Sequence, residues 1–248
     1  MIGGMPLFYL RRLTGSHRSE RSNRHLARYL AFVAGAANAG GFLAVHQYTS
    51  HMSGIVAKIS DDLAVGDIHL AAEGLAAFGA FLAGAFVTTL LIRWARARNL
   101  ESRYALPLVA EAGLLTVFGF TGRVFHGETV LETVVLLCFT MGLQNAMITK
   151  LSNSVIRTTH LTGMVTDIGI ALGRVATAGM SRMPVNITHE AASLRLLGSL
   201  VMLFFVGGAI GALGFRHLGF LFTLPLSGVL LILAAMPVIE DVRRLRAA

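Results

Sequence analysis

Gly35-Ala-Ala-Asn38-Ala39 and Thr49-Ser50-His51-Met52-Ser53-Gly54 are the stretches that decide the fold, because both of them recur. Their second copies are Gly142-Leu-Gln-Asn145-Ala146 and Thr158-Thr159-His160-Leu161-Thr162-Gly163. Six positions are identical between the copies, and two serines in the first copy are replaced by threonines in the second. Such self-similarity predicts a chain built from two copies of one structural unit.

The composition is that of a membrane protein. Of the 248 residues, 54% are hydrophobic and only 14% are charged, whereas soluble domains carry about 25% charge. The net charge of +8 would suggest a nucleic-acid partner. The basic residues, however, lie in short loops between apolar runs, as in membrane proteins, so we exclude nucleic acid as a partner. Cys138, the single cysteine, cannot form an intrachain disulfide. The expected surroundings of the chain are therefore a lipid bilayer.

Six apolar runs each have close to the length of roughly 20 residues that a helix needs to cross a bilayer. They are residues 26–47, 71–91, 104–120, 130–148, 194–213 and 218–239. Two more polar segments, 49–68 and 158–176, are too short or too charged to cross alone. The sequence therefore predicts an all-α integral membrane protein with six transmembrane helices, arranged as two three-helix repeats with paired re-entrant or broken segments.

The basic residues predict the orientation of these spans. With the N-terminus in the cytoplasm, 18 of the 21 Lys and Arg residues fall on the cytoplasmic side. Because three spans is an odd number, the second repeat is inverted relative to the first. The predicted organisation is a basic, disordered cytoplasmic tail (1–25), repeat 1 (26–122), repeat 2 (129–240) and a cytoplasmic tail (241–248). A cleaved signal peptide is rejected, because cleavage near Ala36 would cut the repeated motif.

The repeated polar side chains allow a structural and a functional interpretation. Asn38 and Asn145 either join helices, line a polar ligand site or cap an unwound turn. The hydroxyls of the two histidine motifs are expected to cap helix N-termini, and two such positive ends facing one cavity would favour an anion. His51 and His160 are either neutral hydrogen-bonding residues or a proton-sensitive element. A metal site is disfavoured, because neither histidine has a ligand-spaced partner.

Charged residues follow the histidines in both copies. Lys58 and Asp167 each lie seven residues after a histidine, so we expect an ion pair between them that acts as a lock or as a gate. Asp61, Asp62 and Asp67 are expected on a solvated face. Glu111 has no acidic counterpart in the second repeat, and it is either a coupling carboxylate or the partner of a neighbouring span.

The motifs resemble those of the YoaK-like family of bacterial multi-span inner-membrane proteins. The resemblance rests on residues 38–42, 49–54, 142–146 and 157–163 together with Thr166-Asp167, and it covers residues 26–240. It implies a multi-pass protein of the bacterial inner membrane. It assigns no substrate and no catalytic residue.

The expected function is that of a transporter or channel for a small polar or anionic solute, with a central site between the two motifs. The candidate binding or gating residues are Asn38, Thr49, Ser50, His51, Ser53, Lys58, Asn145, Thr158, Thr159, His160, Thr162 and Asp167, with Glu111 as a coupling candidate. No cofactor or metal is expected. The alternatives are an intramembrane enzyme that uses histidine acid–base chemistry and a non-transporting scaffold. The oligomeric state, including a homo-oligomer, is left open.

Overall fold

A computed structural model describes residues 4–15, 18–45, 48–121, 130–152, 158–178 and 186–247. These residues form nine α-helices and contain no strand, which confirms the all-α prediction for the described part of the chain. The helices are α1 (Gly4–Thr14), α2 (Glu20–Val45), α3 (Met52–Ala64), α4 (Ile68–Ala97), α5 (Ala105–Thr121), α6 (Val130–Leu151), α7 (Leu161–Ala176), α8 (Ile187–Leu218) and α9 (Thr223–Ala247). Two 3-10 turns, Glu101–Tyr104 and Gly219–Phe222, precede α5 and α9.

Several helices have the length and apolar character needed to cross a membrane. Within the described residues, four such stretches are found, namely Ile68–Ala97, Glu101–Phe120, Val130–Leu151 and Ile187–Arg246. The last of these contains both α8 and α9. The helix α2 is not among them. The structure thus supports a membrane protein, and the number of six spans stays a prediction.

The two halves of the chain make equivalent helix contacts. If α2 to α5 correspond to α6 to α9, the packing of α2 against α8 corresponds to that of α6 against α4. Likewise α3 packs on α4 as α7 packs on α8, and α5 packs on its own counterpart, α9. The largest apolar core joins side chains of α2, α5, α6 and α9, among them Leu30, Leu108, Ile148 and Leu230.

Four Phe-x-x-Gly segments form the closest helix crossings. A Cβ atom on Gly142 of α6 would lie 2.0 Å from the carbonyl oxygen of Phe81 in α4, and one on Gly35 of α2 would lie 2.1 Å from that of Phe204 in α8. The reciprocal contacts join Gly84 to the Phe139 carbonyl and Gly207 to the Phe32 carbonyl. These crossings need glycine because the backbones approach directly. The same device therefore holds both halves.

The starts of the long helices also repeat. Asp67 caps α4 by accepting a hydrogen bond from the third amide of the helix, and Asn186 caps α8 in the same way. Pro107 and Pro225 both lie in the first turn of their helices, α5 and α9, where a missing amide hydrogen costs little.

The N-terminal segment differs from the prediction of disorder, because residues 4–14 form the helix α1. This helix packs on α9, with Leu13 and Thr14 buried. The Thr14 hydroxyl donates to the Leu233 carbonyl at 2.8 Å, and Arg11 pairs with Glu240 at 3.0 Å. Composition alone suggested a solvated tail, but these contacts with the distant C-terminal helix stabilise an ordered one.

Candidate functional site

The two repeated asparagines accept equivalent hydrogen bonds. In the first half, the Ser50 hydroxyl donates to Asn38 Oδ1 at 3.1 Å. In the second half, the Thr159 hydroxyl donates to Asn145 Oδ1 at 2.5 Å. Each bond joins a long helix, α2 or α6, to the segment that leads into a short one, α3 or α7. The asparagines therefore fix where the two short helices begin.

The expected hydroxyl caps of the short helices are absent, so that prediction is wrong. The N-cap residues are His51 for α3 and His160 for α7, and neither makes a side-chain capping hydrogen bond. The physical reason is position, since a histidine occupies each N-cap and the hydroxyls of Ser50 and Thr159 lie one residue earlier, where they donate to asparagines. The amides in the first turns of α3 and α7 thus have no side-chain cap. An uncapped helix N-terminus carries a partial positive charge.

Both uncapped helix starts open into one cavity of about 720 Å³. Its walls come from the two copies of the motif and from the long helices beside them. The lining residues are Asn38, Tyr48, Ser50, His51, Met52, Ser53, Phe81, Thr159, His160, Leu161, Thr162, Gly163 and Phe204. The cavity is therefore a shared feature of the two repeats.

Most of the lining residues are matched pairs. The polar pairs are Ser50 with Thr159, His51 with His160 and Ser53 with Thr162, and Phe81 and Phe204 are an aromatic pair. Sequence reasoning missed the two phenylalanines. Their signal was the Phe-x-x-Gly spacing, which occurs in each of the four crossing helices.

Three other polar candidates lie outside the cavity wall. Thr49 and Thr158 are buried, and their hydroxyls have no hydrogen-bond partner among the described residues. Asn145 is buried behind Thr159, and its amide donates to the Met141 carbonyl one turn earlier. These residues support the wall rather than line it.

The expected ion pair between Lys58 and Asp167 is not formed, so this prediction is wrong. Lys58 instead pairs with Asp62, four residues later on α3, at 2.7 Å. Asp167 is exposed on α7. The short helices pack on α4 and α8 rather than on each other, so equivalent positions do not meet. Neither residue lines the cavity.

Glu111 is fully buried in α5, and neither carboxylate oxygen has a hydrogen-bond partner among the described residues. It does not line the cavity. The structure therefore separates it from the paired motifs, and its coupling role stays a prediction.

The described residues contain no group of three His, Cys, Asp or Glu side chains placed to hold a metal ion. The polar groups around the cavity are hydroxyls, imidazoles, one amide side chain and backbone amides. Such groups bind a polar solute by hydrogen bonds, and the amides at the helix starts favour negative charge.

The sequence model of a family described as "Protein of unknown function (DUF1275)" matches residues 26–236, and the chain belongs to that family. No curated protein and no solved structure matches the chain. The resemblance to the YoaK-like family and the bacterial origin stay predictions.

Proposed function

We propose that this member of the DUF1275 family carries a small polar or anionic solute across a membrane through the cavity between its two repeats. One observation carries the proposal: the start of the same short helix, taken from each half, opens into a single cavity. A site made from two equivalent elements can be reached from opposite sides, as alternating access requires.

The chemistry of the cavity favours a solute with acceptor oxygens or negative charge. The amides of Met52, Ser53 and Gly54 begin α3, and those of Leu161, Thr162 and Gly163 begin α7. Two helix dipoles directed at one cavity add their positive potentials. Imidazoles and hydroxyls add further hydrogen-bonding groups that suit a polar ligand.

The topology that fits this function has six crossing helices, α2, α4, α5, α6, α8 and α9. At 1.5 Å per residue, α3 and α7 are roughly 20 and 24 Å long, which is less than the hydrocarbon thickness of about 30 Å. They would enter from opposite faces and meet at the cavity, which makes the repeats inverted. The charge bias supports cytoplasmic termini, and the proposed location, the bacterial inner membrane, is the one that the resemblance of the motifs implies.

Cysteine labelling tests this topology. In a cysteine-free background, Val65→Cys at the end of α3 should react with an impermeant maleimide from outside intact cells. Arg98→Cys and Thr177→Cys should react only after the membrane is permeabilised, and all three positions are exposed. Labelling of position 98 from outside would contradict the inverted arrangement.

Accessibility of the cavity tests the proposed path. Ser53 is exposed at the cavity wall, so a small methanethiosulfonate reagent should modify Ser53→Cys from either side of the membrane. Cys138, which is buried, is replaced by alanine in this background. Modification from one side only, under all conditions, would indicate a closed pocket and not a path.

A further inference from the structure

Two arginines, Arg18 and Arg103, lie beside Tyr104, away from the cavity. Arg18 lies in the short connection between α1 and α2, and Arg103 lies in the 3-10 turn before α5. The guanidinium carbon of Arg18 is 3.7 Å from the ring centroid of Tyr104. The ring therefore holds the Arg18 guanidinium beside the start of α5.

Both guanidiniums have buried donors that are not used. Nε and Nη1 of Arg18 and Nε of Arg103 are buried and have no hydrogen-bond partner among the described residues. A buried donor without an acceptor destabilises the fold, and more so when the group is charged. Unused donors on two neighbouring cations are what an anion-binding site presents when its ligand is absent.

The acids at this end of the molecule are engaged elsewhere. Asp241 accepts the backbone amides of Glu101 and Ser102 at 3.0 and 2.8 Å. Glu101 itself lies 3.7 Å from Arg244. Glu240 pairs with Arg11 through Oε1, and its buried Oε2 has no hydrogen-bond partner among the described residues. These contacts leave Arg18 and Arg103 without a carboxylate partner in the described part of the chain.

The electrostatics agree with this geometry. Burial lowers the pKa of Arg18 from its usual value, and the positive charge of Arg103 lowers it further, whereas Tyr104 opposes the shift. An anion between the two guanidiniums would offset their mutual repulsion.

We propose that Arg18 and Arg103 form a binding site for a phosphate group, held by hydrogen bonds from their unused guanidinium donors. Charged guanidinium donors make strong hydrogen bonds to phosphate oxygens. Trp94, half exposed near the end of α4, marks the depth at which interfacial aromatics lie. The phosphate belongs either to a membrane lipid headgroup or to a free ion, and this site is independent of the cavity and of its proposed function.

Thermal unfolding of the purified full-length chain in detergent tests the proposal. The probes are phosphatidylglycerol in mixed micelles and inorganic phosphate, each compared with chloride at equal ionic strength. The unfolding temperature of wild type should rise by roughly 3–5 °C with at least one probe. Arg18→Gln and Arg103→Gln should each lose most of this gain. Arg98→Gln, an exposed arginine near Trp94, is the matched control and should keep it.

The outcomes separate the sources of the phosphate. If only the lipid raises the unfolding temperature, the ligand is a lipid headgroup. If inorganic phosphate raises it, the ligand is a free phosphate ion. Without either probe, the Gln variants should be as stable as wild type, because an unpaired buried charge has been removed. If neither probe stabilises wild type, or if both Gln variants respond as wild type does, the arginines serve packing alone and the proposal is overturned. The two variants are independent, so failure of one to fold leaves the other as the test.

Discussion

Gly142→Ala should lower the stability of the purified protein strongly. The new Cβ would lie 2.0 Å from the backbone oxygen of Phe81, which cannot rotate away. The helices α4 and α6 would have to separate along their main contact. Overpacking of this kind costs about 1–3 kcal/mol and sometimes more. Thermal unfolding in detergent, followed by loss of helical circular dichroism, measures the effect.

A matched control lies on the partner helix. Gly79 of α4 has no atom within 4 Å of a Cβ position, so Gly79→Ala should be neutral or stabilising by up to about 1 kcal/mol. Because the halves are equivalent, Gly35→Ala should resemble Gly142→Ala, since its Cβ would meet the Phe204 carbonyl. If Gly142→Ala and Gly79→Ala unfold at the same temperature, the close crossing of α4 and α6 is incorrect.

Thr162→Trp should abolish solute passage without unfolding the protein. Thr162 is exposed at the start of α7 and lines the cavity. An indole there would occupy space that no side chain fills, so packing is unchanged while the path is blocked. We expect uptake by proteoliposomes to fall by roughly tenfold or more, which corresponds to about 1.4 kcal/mol in the barrier.

The control for this block is one turn away on the same helix. Thr166→Trp adds the same ring at an exposed position that does not line the cavity. It should transport at a rate close to wild type, and both variants should unfold near the wild-type temperature. Equal uptake by Thr162→Trp and wild type would show that solute does not pass through the cavity.

The repeat was readable from the sequence because identical polar residues stand out in apolar surroundings. Asn38, Asn145 and the two histidines were found in this way, and the structure brings Asn38 and both histidines to one cavity. The helical class followed from the apolar runs. The phenylalanines of the wall were overlooked because single aromatics are common in membrane helices, and only their shared distance from a glycine distinguishes them.

Other features depend on tertiary geometry that spacing does not encode. Lys58 and Asp167 occupy equivalent positions in the two repeats, which suggested an ion pair. Lys58 instead pairs with Asp62, an acid one turn away on the same helix. The hydroxyls were expected as caps, yet a histidine occupies each N-cap, and the two hydroxyls before it donate to asparagines of other helices. In each case a contact between helices or within one turn outweighed the pattern along the chain.

The claim that the cavity between the repeats carries a solute is tested most directly by uptake into proteoliposomes. A panel of small labelled anions and neutral polar solutes would be offered to vesicles containing wild type, Thr162→Trp or no protein. The account predicts that at least one solute enters wild-type vesicles faster than protein-free vesicles, and that Thr162→Trp removes the difference. Uptake that is unaffected by Thr162→Trp, or wild-type vesicles no more permeable than protein-free ones to any solute in the panel, would contradict it.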